Sequence, residues 1–444
     1  MNQTAGGAPD RAILARANRA AGDLARFSGR AFRAMEIDTR FLGMIAALLI
    51  IWIGFDLLSG GRFLTARNLW NLSVQSASVA ILATGMVLVI VTRNIDLSVG
   101  SLHGFLAMVM GVVQARYLPE ILGFGHPAIW FVTLMAGVLL GAVVGGLQGF
   151  LIAYLSIPAF IVTLGGLLVW RGAAWWVTSG QTVSPLDSRF ILMGGGPRGA
   201  IGDVATWVLA ALACLALLLL QAAARRRKRR FGFPTRPVWA EALMAALGCG
   251  AVLGAAAVAN AYYWPAGTVR QWAAANDVII PAGGLQISHG IAVPVLIALA
   301  AGVVMTFVAR RTRFGRYVYA IGGNPEAAEL AGVNTRWVTM KIFMIMGVLC
   351  ALAGAVASAR LQSATNSQGT LDELLTIAAA VIGGTSLAGG AGTIAGAMLG
   401  ALLMQSLSSG MILLGLDAPL QNVVVGLVLV AAVWLDTLYK RRAG

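Results

Sequence analysis

Apolar residues in this chain gather into long runs at about 41–59, 74–92, 98–116, 128–156, 158–178, 204–224, 238–260, 291–309, 338–361, 371–387, 391–412 and 419–438. Most reach or approach the ~20 apolar residues an α-helix needs to cross a bilayer. The pattern predicts an all-α, polytopic transmembrane helical bundle of about twelve spans. Two places break it. Arg93, Asn94 and Asp96 interrupt the pattern just before LSVGSL, and GGTSLAGGAG at Gly383–Gly392 holds too many glycines for a comfortable helix. Irregular backbone at membrane depth is tolerated only where protein or a water-filled path covers it, so these broken helices face a pathway or a packed interior. A plain short loop is the other reading of such a break. Each break precedes an apolar helix of small residues, a likeness between the two halves that an ancient duplication produces.

Glycines at four-residue spacing add a packing signal, at Gly137, Gly141, Gly145 and Gly149 and again at Gly392, Gly396 and Gly400. Each row is a smooth ridge that lets a second helix approach closely, within the chain or in a second copy.

Composition agrees with the pattern: 59% of residues are hydrophobic and 11% charged, against roughly 25% charged in a soluble domain. The net charge of +15 acquires meaning only once it is placed along the chain. With the N-terminus inside, 24 of the 32 arginines and lysines fall on the cytoplasmic side: those up to Arg40, Arg93, Arg225–Arg236, Arg310–Lys341 and Lys440–Arg442. That is a positive-inside bias, with both termini expected in the cytoplasm and RRRKRR at Arg225–Arg230 a topology anchor rather than a nucleic-acid patch. Ahead of the first span, residues 1–40 alternate apolar and arginine positions from Ile13 to Met35, the pattern of a basic amphipathic helix on an anionic lipid surface. The first run starts near Phe41, too far in for an ordinary secretory signal, and is kept as a true span.

Several chemistries are missing. The lysines are Lys228, Lys341 and Lys440, none preceded by glycine, so the chain supplies no P-loop. His103, His126 and His289 are scattered, and Cys214, Cys249 and Cys350 sit inside apolar runs, which gives no metal site and no disulfide framework. No cofactor and no enzyme activity of its own are expected. Charges inside the spans are few, chiefly Arg171 and Glu241 with Asp96 at a boundary. They are the candidates for the alternative function, a self-contained ion-coupled secondary carrier.

The basic segment RRTRFGRYVYAIGGNPEAAELAGVN, Arg310–Asn334, carries one short helix with full start and stop signals. Asn324 suits the N-cap, Pro325 the first helical position, Glu326 and Glu329 the helix dipole, and Gly332 the stop. A helix of under two turns is marginal alone and must pack against something. That something is its own membrane domain or a cytoplasmic partner.

Together with VTRNIDLSVGSL, IPAFIVTLGGLLVWRGAAWWVTSGQ and ELLTIAAAVIGGTSLAGGAGTIAGAMLGALL, this segment resembles the permease subunits of bacterial sugar ABC importers, the ribose, xylose, arabinose and galactoside type. Four motifs in order cover about Val74 to Leu435. The resemblance implies an inner-membrane subunit that pairs with a second permease copy, receives a sugar from a periplasmic binding protein, and is driven by a cytoplasmic P-loop ATPase that uses ATP and Mg. It makes Asn324, Pro325, Glu326, Ala327, Ala328, Leu330 and Gly332 the ATPase-coupling helix, in a loop at about 310–337. It lines the pathway with Asn94, Asp96, Ser98, Thr163, Arg171, Thr385 and Ser386; for Thr163, Thr385 and Ser386 a bond back to their own helix is the competing role. An extra hairpin at about 204–262 makes the chain most like the xylose-type permeases and points to a pentose such as xylose. Asp372 and Glu373, beside the glycine-rich span, are the expected docking pair for the binding protein, since charge complementarity sets encounter and register.

Overall fold

The computed structural model describes residues 39–281 and 283–443. The amphipathic run Ile13–Met35 lies outside the described residues. Among those described no strand forms, only isolated bridges at Val183–Ala364, Ala200–Ala292 and Tyr263–Ser288. The described residues divide into two compact units, 43–206 with 257–443, and 207–256 with 39–42.

In chain order the helices are α1 Thr39–Leu58, α2 Ala66–Val91, α3 Val99–Val112, which a π-turn at Val113–Tyr117 and the short helix Leu118–Leu122 extend to spanning length, α4 Ile129–Ala153, α5 Ala159–Trp176, α6 Asp203–Arg230, α7 Val238–Asn260 and α8 Ala266–Ala275. There follow α9 Val293–Arg311, α10 Arg313–Gly323, α11 Pro325–Leu330, α12 Thr335–Leu361, α13 Asp372–Ile382, α14 Ile394–Leu413 and α15 Ala418–Ala443. Among the described residues, ten helices are long and apolar enough to cross a membrane. The other two apolar runs form α13, which ends after 11 residues where Gly383 and Gly384 begin, and α15, whose described apolar part is Ala418–Ala431.

The large unit is built around α2. From Ala77 to Val91 its side chains are buried all round, Ile81, Leu82, Met86 and Val87 completely. A helix apolar on every face belongs in the middle of a bundle, and α9, α12, α13 and α14 pack around it.

Both glycine ridges are used within the chain. Along α4, a Cβ on Gly141 or Gly145 would overlap the α12 carbonyls of Gly347 and Phe343, and one on Gly149 would lie 2.8 Å from Met340 Cα. Along α14, Gly396 and Gly400 stand equally close to the carbonyls of Gly383 and Ala379.

Outside the spans, His289 is buried in an aromatic cluster. Its ring stacks on Tyr262 at 4.3 Å, with Trp70 at 4.9 Å and Trp264 at 6.3 Å. Burial lowers its pKa from the ordinary 6.5, while a hydrogen bond to the Tyr262 carbonyl works the other way. Because the folded state prefers the neutral ring, this stabilisation is complete above pH 6.5 and is lost as pH falls through the lowered pKa. The melting temperature of the purified protein is therefore expected to drop between pH 7.5 and 5, and His289→Phe to flatten that drop. An unchanged acid limb in the variant would remove His289 as its cause.

In the smaller unit α6 and α7 form a hairpin. Gln221 Nε2 donates to the Glu241 carbonyl at 2.7 Å, and the Glu241 carboxylate pairs with Arg225.

Candidate translocation and coupling site

The first polar break is a closed network. Asp96 Oδ1 accepts from the Ser98 amide at 2.9 Å and the Ser98 hydroxyl at 2.6 Å, and Ser98 Oγ accepts from Gln148 Nε2 at 2.9 Å. Asp96 is 1% exposed, a depth at which a carboxyl group needs hydrogen-bond partners, and its Oδ1 has two. Thr163 joins from α5. Its hydroxyl bonds back to Ala159 O at 2.8 Å, as expected of the competing role, and also lies 3.2 Å from Ile95 O, so it ties its helix to the break. Gln148, from α4, is a member that the sequence reading missed; the signal was a lone amide inside the glycine ridge GGLQGF. Asn94 stays apart, its Nδ2 bonded to Thr92 within its own turn.

Arg171, about two turns beyond Thr163 on α5, does not reach this network. Its Nη1 donates to Asn366 O at 3.1 Å and Gln368 O at 2.9 Å, holding the segment 362–371 that leads into α13. That segment runs along α3, with Gly369 against Gly100 and Gln368 against Gly104. Glu373, one of the expected docking pair, lies here as well. Glu373 is 6% exposed and its carboxylate faces Gly100, because α13 starts deep against α3 instead of at the surface. Asp372 Oδ2 lies 3.3 Å from His103 Nδ1, with 22% of its side chain exposed. Gln368 Oε1, Glu373 Oε2 and Thr376 Oγ1 are buried without hydrogen-bond partners in this arrangement.

Thr385 and Ser386 belong to a third locus. The loop between α13 and α14 is closed by Ser386 N to Ala391 O at 2.8 Å and Gly389 N to Ser386 O at 2.9 Å; Thr385 is 1% exposed and its hydroxyl has no partner. The loop meets the end of α2, through Gly390 N to Val91 O at 3.0 Å, and α10, through Tyr319 Oη to Gly392 O at 2.8 Å. The two breaks therefore approach each other at Val91–Arg93, not at Asp96.

The short helix α11 has the caps its sequence promises. Asn324 Oδ1 accepts from Ala327 N at 3.0 Å, Pro325 opens the helix, and Gly332 takes φ +82° with its amide on Glu329 O at 2.8 Å. Thr335 Oγ1 donates to Glu329 Oε1 at 2.5 Å, and Asn334 caps α12 at once. Ala328 alone of the helix is buried, while Asn324, Pro325, Glu326, Ala327, Leu330 and Gly332 are exposed, Leu330 at 91%. A rigid knob rests on its own domain by one residue and presents the rest outward.

Ten apolar helices, interrupted around buried polar networks, and an exposed capped helix are those of a multi-pass membrane protein, and its family match makes it a permease component, a transport subunit. Residues 68–433 match the family described as branched-chain amino acid transport system / permease component. The chain belongs to this family. It is 36% identical over 408 residues to the xylose transport system permease protein of Escherichia coli strain K12, which covers 92% of this chain and 94% of that protein. The ribose import permease protein of the same strain is 33% identical over 393 residues, 88% and 92% of the two chains. The fructose import permease protein of Rhizobium meliloti is 28% identical over 399 residues, 90% and 86% of the two. No solved structure gives a significant match. The resemblance to sugar permeases read from four sequence motifs is thereby borne out.

Proposed function

We propose that this chain is the membrane-spanning permease subunit of an ATP-driven sugar importer of the bacterial inner membrane, passing a pentose such as xylose from a periplasmic binding protein to the cytoplasm. The observation that carries the reading is likeness along nearly the whole length of two xylose permeases, that of Escherichia coli and that of Haemophilus influenzae, the latter 36% identical over 93% of this chain and all of that protein. Two placements support an external energy source. Two of the candidate relay charges are already engaged, Arg171 on backbone carbonyls and Glu241 on Arg225, which removes both as free relay groups of an ion-coupled carrier. The exposed α11 offers a capped element to a P-loop ATPase, which would hold the ATP and Mg.

The distribution of arginine and lysine supports both termini and α10–α11 on the cytoplasmic side. A second copy of the chain completes the pathway in this reading. On α5, a Cβ on Gly165 or Gly172 would meet nothing beyond its own helix within 4 Å, and both stand among exposed Leu164, Leu168 and Trp175. The pathway residues are Asp96, Ser98 and Thr163 at one level, Arg171 at the next, and Asn94, Thr385 and Ser386 toward α11. Mostly neutral hydroxyls and amides suit a sugar that must bind and also leave. Docking of the binding protein falls to Asp372 alone of the expected pair. The hairpin at 204–262 is dispensable for transport in this reading, and its excision is expected to spare some uptake.

The test is uptake of a panel of pentoses and hexoses into proteoliposomes holding the chain with its ATPase and binding protein. ATP- and binding-protein-dependent uptake of a pentose is expected. Uptake driven by an ion gradient without the ATPase would replace the importer with a carrier, and uptake of hexoses alone would overturn the pentose assignment.

A further inference from the structure

Arg93, the second residue after α2, takes left-handed geometry, with φ +63°. A non-glycine residue held in the left-handed region costs free energy and persists only where its surroundings hold it there. Here the guanidinium is anchored twice. Arg93 Nε donates to Gly322 O at 3.0 Å and Nη2 to Gly323 O at 2.7 Å, the last two carbonyls of α10 and the two residues immediately before Asn324 and α11. A cation at a helix C-terminus gains from the dipole as well as from charge-assisted hydrogen bonds.

The same point receives the second break. A Cβ on Gly389 would lie 2.6 Å from Arg93 Cγ and 2.7 Å from Gly322 O, and a Cβ on Gly322 would lie 2.6 Å from Gly390 N. Three backbones thus touch with no side chain between them, and Gly390 N closes the contact on Val91 O. A charge that only sets topology needs neither a strained backbone nor a bidentate partner.

We propose that Arg93 is a positioning residue that latches the approach to α11 onto both polar breaks, so that displacement of α11 is transmitted to the Asp96–Ser98 and Thr385–Ser386 segments. The proposal rests on the reading of α11 as the ATPase-docking helix. The latch is mechanical and specific: the donor fork holds Gly322 and Gly323 together, and Gly389 lies against the fork's stem.

Arg93→Lys separates this from a topological role, since it keeps the positive charge and removes the planar fork. In proteoliposomes containing permease, ATPase and binding protein, the variant is expected to insert, to co-purify with the ATPase and to hydrolyse ATP at the basal rate. Stimulation by sugar-loaded binding protein, and sugar transported per ATP, are expected to fall about tenfold, as for one lost charge-assisted hydrogen bond. Parental coupling in Arg93→Lys would reduce Arg93 to a topology charge and overturn the proposal. Loss of ATPase co-purification in the variant would overturn it too, by showing that Arg93 serves assembly. Failure of the unaltered chain to bind the ATPase would instead overturn the docking reading of α11, and the two failures are told apart by that control.

Discussion

Replacing Gly145 with leucine should leave almost no folded permease in the membrane fraction. The α4–α12 contact is an extensive helix pairing, and it depends on backbones meeting directly. A Cβ on Gly145 would overlap Phe343 O and its carbonyl carbon and lie 3.1 Å from Met344 Cα, all of them main-chain atoms that no rotamer change can move aside. Gly141 and Gly149 stand in the same position one turn on either side, so α12 cannot tilt away at one point without losing the others. Overpacking a core commonly costs about 1–3 kcal/mol, and a leucine that separates two buried helices exceeds the usual case. Thermal stability and the monodisperse fraction in detergent give the measurement, with Gly145→Ala expected between parent and Gly145→Leu. Gly54→Leu is the control, because nothing lies within 4 Å of its Cβ position. A well-folded Gly145→Leu would show that the ridge does not determine the packing.

Gly332→Val should abolish transport while leaving insertion intact. Gly332 has φ +82° and no atom within 4 Å of a built Cβ, so the damage comes from backbone conformation alone. A β-branched residue is a genuine outlier in that region, and a six-residue helix has too little cooperativity to hold its last turn against it. Losing the stop frees the Gly332 amide from Glu329 O and the Val333 amide from Ala328 O, and with them the orientation of exposed Leu330. Co-purification with the ATPase is expected to fall about tenfold or more, as for ~1.4 kcal/mol or more of lost interaction. Gly332→Asn should stay near the parental level, since asparagine tolerates the left-handed conformation. Full transport by the valine variant, or equal damage from valine and asparagine, would separate α11 from ATPase coupling.

The caps of α11 were readable because they are local: Asn324, Pro325 and Gly332 act within one turn of their own backbone. The same loop also holds α10, which the sequence reading passed over. Its signals are Thr312 as N-cap, accepting from Gly315 N at 3.1 Å, and Val318 and Ile321 three apart on the buried face. Arginines on its other face made the segment look like a charged loop. Among the spans, α13 stops at 11 residues where the apolar run suggested more, because hydropathy counts the glycines after Ile382 as apolar while their backbone leaves the helix.

What the sequence determined by itself is whatever depends on neighbours within a few residues: the membrane class, the rough placement of the apolar helices, the two polar breaks, the capped knob and the absence of a P-loop. Tertiary structure decided which of those features meet. It turned the glycine ridges inward onto α12 and α13, drew Gln148 from another span onto Ser98, sank Glu373 against Gly100, and brought Val91–Arg93, Gly322–Gly323 and Gly389–Gly390 to one point. The reason is physical. Hydropathy and capping are properties of a segment, but a glycine, a lone amide or a carboxylate has no face until another backbone comes within hydrogen-bonding or van der Waals reach, and those partners lie up to hundreds of residues away in this chain.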